Sequence, residues 1–199
     1  MKRPWLVPEA RLPEAFPPAG PVDRVIVKHY PPHRLARVAA DGDAGGGAFM
    51  HLFGHIRRGR IAMTAPVEMV WEERAQRPRS MAFVYAREQI GRPGPDPADG
   101  RVIVEDVAAG SVVSVGQRGG YGRRTLLRGL EKLRAWLVEH PEWVEAGAPR
   151  SLAYNSPFVP DVFKYSEVQI PVAPRDRPVA APPAPTGAPP TGRQRKPAE

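Results

Sequence analysis

The stretch Arg60-Ile61-Ala62-Met63-Thr64-Ala65-Pro66-Val67 sits where one periodicity gives way to another, and that junction decides the fold. Upstream of it, Phe49, Leu52, Phe53 and Ile56 recur at three- and four-residue spacing, the pattern of a helix that buries one stripe. Val38 and a Gly-rich stretch, residues 42–47, lead into that helix. Arg57 and Arg58 followed by Gly59 form its stop, because cations suit the carbonyl end of a helix and glycine tolerates the turn out of it. Downstream, residues 61–71 and 80–86 are rich in β-branched, aromatic and other apolar side chains and read as strands. Residues 22–30, bounded by Pro21 and by Pro31-Pro32, read as a strand ahead of the helix.

The same logic recurs further along. A polar loop at residues 91–100 contains three prolines and closes the first half. Residues 101–106 and 111–117 then read as strands around an Ala-Ala-Gly turn. From 123 to 139 a helix places Leu126, Leu130, Leu133 and Leu137 on one stripe, and Pro141 ends it. Residues 152–155 and 164–172 supply two more strands. Strand–helix–strand–strand, occurring twice, predicts an α+β fold: two βαββ repeats forming an antiparallel sheet packed by two main helices.

Composition bounds what such a domain can do. The chain has 199 residues and no cysteine, which excludes disulfides, thiolate catalysis, iron–sulfur clusters and Cys-ligated zinc. Its 26 prolines concentrate near the ends, so the folded part is shorter than the chain. Residues 174–199 are Pro/Ala/Gly-rich without an aromatic residue and are expected to be a disordered, basic tail. Residues 1–20 are expected to be a loosely ordered lead-in, leaving a domain over 21–173. The N-terminus has no apolar core for a signal peptide, and no window approaches the roughly 18 apolar residues of a membrane span. A cytoplasmic protein is the expectation. The net charge is +8, but the arginines are scattered and no nucleic-acid reader motif accompanies them. Nothing before residue 22 has room for a helix-turn-helix, so no nucleic-acid partner is expected.

Residues 60–67 resemble the signature of the SOUL haem-binding family, in which a helix ending near a glycine runs into an "IAMTAPV" strand. Further matches follow in order: residues 42–56 are similar to the family's first helix, 80–85 to its next strand, and 112–122 to its second-half strand and turn. Tyr154-Asn155-Ser156-Pro157-Phe158 is similar to the "Y-N/D-P-P-W" element, and Lys164-Tyr165-Ser166-Glu167-Val168 to the "R-R-N-E-V" strand, with departures. The resemblance spans about residues 22–172. It implies two βαββ-like repeats related by a pseudo-twofold axis, with a shallow groove between helices and sheet. The topology is also similar to effector-binding domains of gyrase-inhibitor-like and multidrug-sensing regulators.

The resemblance implies a haem or tetrapyrrole ligand, which needs an apolar slot, cations for the propionates and optionally an axial ligand. Met63, with Phe49, Met50 and Phe53 nearby in sequence, would supply polarisable and aromatic contacts, and Arg57, Arg58 and Arg60 would pair with propionates. His55 is the candidate axial ligand nearest Met63 in sequence. His51 and His55 have the i,i+4 spacing that lets two imidazoles reach one metal, but neither a zincin glutamate nor a third ligand accompanies them, so they read as an exposed pair. The glycines between 116 and 122 lack phosphate-loop spacing and read as a turn. On a period of two, Tyr165, Glu167 and Gln169 share a face opposite Val168 and Ile170. Directed into the groove, Glu167 would recognise a cationic or amphipathic small molecule, as in the regulator-like relatives. With Tyr154 it would serve as acid or base in a hydrolase, the lesser reading.

Overall fold

The computed structural model describes residues 9–40, 46–72, 74, 76–156 and 158–175. Two helices lie on an antiparallel sheet of ten strands. The first half contains β1 (Val25–Tyr30), β2 (His33–Ala39), α1 (Gly46–Arg58), β3 (Val67–Glu72) and β4 (Arg77–Val84). The second contains β5 (Gly94–Asp96), β6 (Asp99–Val107), β7 (Gly110–Arg118), α2 (Arg123–Glu139), β8 (Trp143–Glu145), β9 (Arg150–Ala153) and β10 (Tyr165–Pro174). The sheet order is β1-β7-β10-β9-β3-β4-β2-β6-β5, with β8 pairing β10. The halves meet where β3 runs beside β9, Val67 opposite Ala153. Their outer strands are exchanged: β1 pairs β7 of the second half, and β6 pairs β2 of the first.

Period-two alternation sorts the side chains onto two faces. On one face, Val38, Met69, Met81, Phe83, Val113, Val168 and Ile170 pack under both helices. Helix α1 contributes Ala48, Leu52 and Ile56, and α2 contributes the expected stripe, with Leu126, Leu130 and Leu133 buried and Leu137 partly so. Gly129 lets α2 approach: a Cβ there would meet Val168 Cβ and Gln117 Nε2, so only glycine fits without displacement.

The opposite face carries two smaller clusters, Tyr30, Val112, Leu152, Tyr154 and Tyr165 in one and Leu35, Ala82 and Val84 in the other. Phe16 packs against both. The segment 9–20, part of the expected loose lead-in, is held to this face by named contacts. Ala65 N–H donates to Arg11 O, Glu14 N–H donates to Ala86 O, and the Phe16 ring meets Tyr30 and His33 edge-on at 5.0 Å. Composition hid this because the segment's prolines and charges carry no periodicity. One aromatic and a few backbone groups do the docking. Residues 1–8 and the expected tail beyond 175 lie outside the described residues.

Three strands were not read from the sequence: β2, β5 and β8. Strand β2 carries Arg34 and Arg37 among its apolar residues, which masks the alternation, yet both arginines are anchored, to Asp106 and to Glu105 and Glu68. Strand β5 lies inside the proline-rich loop at the sheet edge, where Pro95 costs no ladder bond inside the sheet. Residues 61–66, expected as strand, form an irregular connection, and the strand begins at Val67. There the Thr64 hydroxyl donates to Val84 O at 2.5 Å, and Pro66 has no N–H to offer a ladder.

Candidate functional site

A groove of about 630 Å³ opens on the helix face, between the N-terminal part of α1 and the turn entering α2. That volume is in the range of roughly 300–1,000 Å³ typical of small-molecule sites. Phe49 and Met50 of α1 form one wall, and Val67, Met69, Met81 and Ala153 from β3, β4 and β9 form the floor. The floor is where it is because odd-numbered positions of β3 point toward the helices and Ala153 is too small to reach them. Phe49 is held in place by Phe53, stacked at 6.1 Å, and by Phe83, edge-on at 5.2 Å.

At the α2 end the lining becomes polar. Tyr121 donates its hydroxyl to Asn155 O at 3.0 Å and accepts the Asn155 N–H at 2.9 Å. Burial pushes this phenol up to about 12, so it is a neutral hydroxyl at physiological pH. Lys164 lies 5.5 Å from the Tyr121 ring centroid and bonds Asp161 at 2.8 Å. Among the described residues it is the one charged member of the lining. The described lining is therefore mainly apolar, and its one cation is already paired with exposed Asp161. Beside the floor, Ser166 Oγ is the single buried side-chain polar atom without a partner among the described residues; its strand position is opposite Ala153.

The donor set tests the groove against haem. Met50, Met69 and Met81 bring three thioethers to the lining, while none of the five histidines lines it. Thioethers are recognised haem contacts and axial ligands. The residues fit the apolarity of a porphyrin, with Lys164 in the lining. They do not fit ligation by histidine.

Of the residues singled out in the sequence, Phe49 and Met50 line the groove and the others fall elsewhere. Phe53 backs Phe49 from behind and is covered by Arg57, 5.9 Å from its centroid. Arg57 and Arg60 are exposed at the far end of α1, about 10 Å or more along the axis from Met50. Met63 is half-exposed in the connection after α1 and does not line the groove. His55 has both ring nitrogens engaged, Nδ1 with Asp96 at 2.8 Å and Nε2 with the Tyr85 hydroxyl at 2.5 Å. His51 bonds Asp99 at 2.7 Å, so the i,i+4 pair clamps α1 to the β5–β6 hairpin. Among the described residues no group of three or more metal-binding side chains occurs. Asp96 is held at about 2: burial would raise it, but bonds from Ala98 N–H, His55 and Arg58 outweigh that.

Glu167 and Tyr154 lie on the opposite face, beneath residues 18–20. Glu167 is fully buried and paired with Lys28 at 2.6 Å, and it accepts further bonds from Gly20 N–H at 2.6 Å, Ser114 at 2.7 Å and Gln169 at 2.8 Å. Tyr165 donates to it at 3.1 Å and Tyr154 at 3.3 Å. Burial would raise the carboxyl, but Lys28 and these donors hold it below its ordinary value. The same burial and the Glu167 charge raise Tyr154 well above 10. Both groups are satisfied and dry, and their side chains are on the other side of the sheet from the groove, although Ala153 and Asn155 on either side of Tyr154 line it. The groove residues left a signal that sequence reading passed over: Val168, Ile170 and the Leu stripe of α2 must face each other, which turns Glu167 the other way.

One antiparallel sheet, two helices on a single face and an apolar groove between them define the structural class. The chain belongs to the SOUL haem-binding protein family, whose model matches residues 22–171. No curated protein sequence matches it. Among solved structures, it is similar to the C-terminal domain of EcmrR, at 16% identity and a TM-score of 0.54 over 76% of this chain and 98% of that one. It is also similar to a hydrolase from Listeria innocua, at 13% identity and a TM-score of 0.56 over 77% and 94% of the two chains. At such identities the likeness is one of fold. Among the described residues, no helix is long and apolar enough to cross a membrane.

Proposed function

We propose that this protein binds haem or a related tetrapyrrole non-covalently in the groove between α1 and α2, as a carrier or buffer with no catalysis of its own. The observation that carries the reading is the groove itself: an open slot walled by Phe49 and floored by Val67, Met69, Met81 and Ala153, with a lysine as its only charged residue among those described. Family membership names the ligand class. Phe49 and the aliphatic floor would hold the macrocycle by apolar contact, and Lys164 would exchange its exposed partner Asp161 for a propionate. Bound haem would bring iron chemistry; the protein would contribute a dry surface, soft thioether contacts and exclusion of water from one side of the ring. A hydrolase or a cation sensor would need Glu167 free, and Lys28 already occupies it.

Titration with hemin tests this. A saturable one-to-one Soret shift is expected, weakened at least tenfold by Ala153→Trp, which fills the floor. Met69→Leu and Met81→Leu keep the volume and remove the sulfur, so a thioether ligand would show as a moved Soret band. Met63→Ala, Arg57→Ala and Arg60→Ala are expected to leave affinity unchanged. Binding indifferent to Ala153→Trp would overturn the site, and absence of a saturable shift would overturn the ligand.

A further inference from the structure

The connection from β9 to β10 begins and ends at groove residues, Asn155 and Lys164, and carries three large apolar side chains outward between them. Phe158 is 93% exposed, Val162 71% and Phe163 47%. The loop is nonetheless well held. Val159 is buried beneath it, Val159 N–H donates to Ser156 O, and Phe163 and Lys164 N–H both donate to Pro160 O. Ser156 is tied to Glu9, and Asp161 to Lys164, so the neighbouring carboxylates are engaged. The turn into α2 packs against the same loop, Gly119 N–H donating to Lys164 O. It delivers exposed Arg123 and Arg124 just past Gly122 of the groove lining. Met50, 62% exposed, is on the α1 wall of the same groove.

We propose that this rim, with Phe158 and Val162 as its exposed apolar side chains and Arg123 and Arg124 at the start of α2, docks the groove onto an anionic lipid surface. Large apolar side chains held in water by a fixed loop are a standing cost that an interface relieves. Exposed apolar side chains on one loop and exposed arginines on the turn bonded to it suit a bilayer, where apolar groups enter the headgroup boundary and cations meet lipid phosphates. The net charge of +8 adds long-range attraction to the same surface. The proposal rests on the groove reading for its purpose, delivering a water-insoluble guest between membrane and groove, but its geometry stands alone.

Sedimentation of the full chain with phosphatidylglycerol/phosphatidylcholine vesicles tests it, with phosphatidylcholine vesicles and raised salt as comparisons. Wild type is expected to partition onto the anionic vesicles and to release several-fold as salt rises. Phe158→Asp with Val162→Asp is expected to weaken partition at least tenfold, at unchanged thermal midpoint and hemin affinity. Arg123→Glu with Arg124→Glu is expected to abolish the preference for anionic lipid. Failure of wild type to sediment, partition unaffected by the Asp variants, or a dimer in solution that those variants dissociate would each overturn the proposal. Hemin binding, measured separately on the same variants, distinguishes such a failure from failure of the groove reading.

Discussion

Adjacent residues of one strand live in opposite worlds here. Met69 faces the helices and lines an open groove, while Glu68 points the other way, between Arg37 at 3.1 Å and Arg150 at 2.7 Å. Val168 packs beneath α2, and Glu167 beside it pairs with Lys28 in a dry layer. The helix face has more apolar surface than two helices cover. The other face has charge that only a covering segment can keep from water. The difference teaches that the ionisable groups of this domain serve cohesion, and that its capacity for a ligand lies where charge is scarce.

The comparison breaks most visibly at Lys28. Lys28→Met would leave Glu167 buried without its cation and is expected to cost about 3–5 kcal/mol, read from the urea midpoint, with most of it recovered on adding Glu167→Gln. A loss below about 1 kcal/mol would reduce the buried pair to the worth of a surface one. Acid reaches the same layer without mutation. Glu68 and Glu167 titrate below the ordinary 4.5 in the folded protein, burial being outweighed by Arg150 and Arg37 in one case and by Lys28 in the other. The unfolded chain therefore takes up protons first as pH falls. Their contribution is complete above about pH 5 and drains away below it. Thermal midpoints measured from pH 7 down to pH 3 should follow that course, and more shallowly in the double variant.

On the helix face the sharper probe is Gly129→Ala. Such a change ordinarily gains about 1 kcal/mol in a helix. Here the new Cβ would be 2.5 Å from Val168 Cβ, so a loss of about 1–3 kcal/mol is expected in chemical denaturation. The smallest effect belongs to neither face: Glu145→Ala removes the half-exposed partner of Arg134 and should cost at most about 0.5 kcal/mol.

The sequence made the helices and the motif-bearing strands legible because each has an unbroken period. The Leu stripe of α2 and the alternation through Tyr165, Glu167 and Gln169 both appear in the structure as read. What it did not reveal was which side of that alternation the helices cover. That is a tertiary fact, settled by matching Leu126–Leu133 to Val168 and Ile170, and it moved Glu167 and Tyr154 away from the groove. The motif around Met63 falls on the connection between α1 and β3, where Met63 is half-exposed and outside the groove lining. Met69 and Met81 carried no local mark, since an apolar residue facing a void looks the same in sequence as one facing a neighbour.

The exchanged outer strands have a consequence for how the chain assembles. Val25 must wait beside no partner until Val115 exists, and β2 lacks its second neighbour until β6 is made. Neither half can finish its own edge, so a ribosome releasing the first half exposes bare strand backbone that only the second can satisfy. Such long-separation pairing slows folding and couples the two halves into one cooperative unit. Cut between β4 and β5, the two fragments should each be unstable alone and recover their structure when mixed.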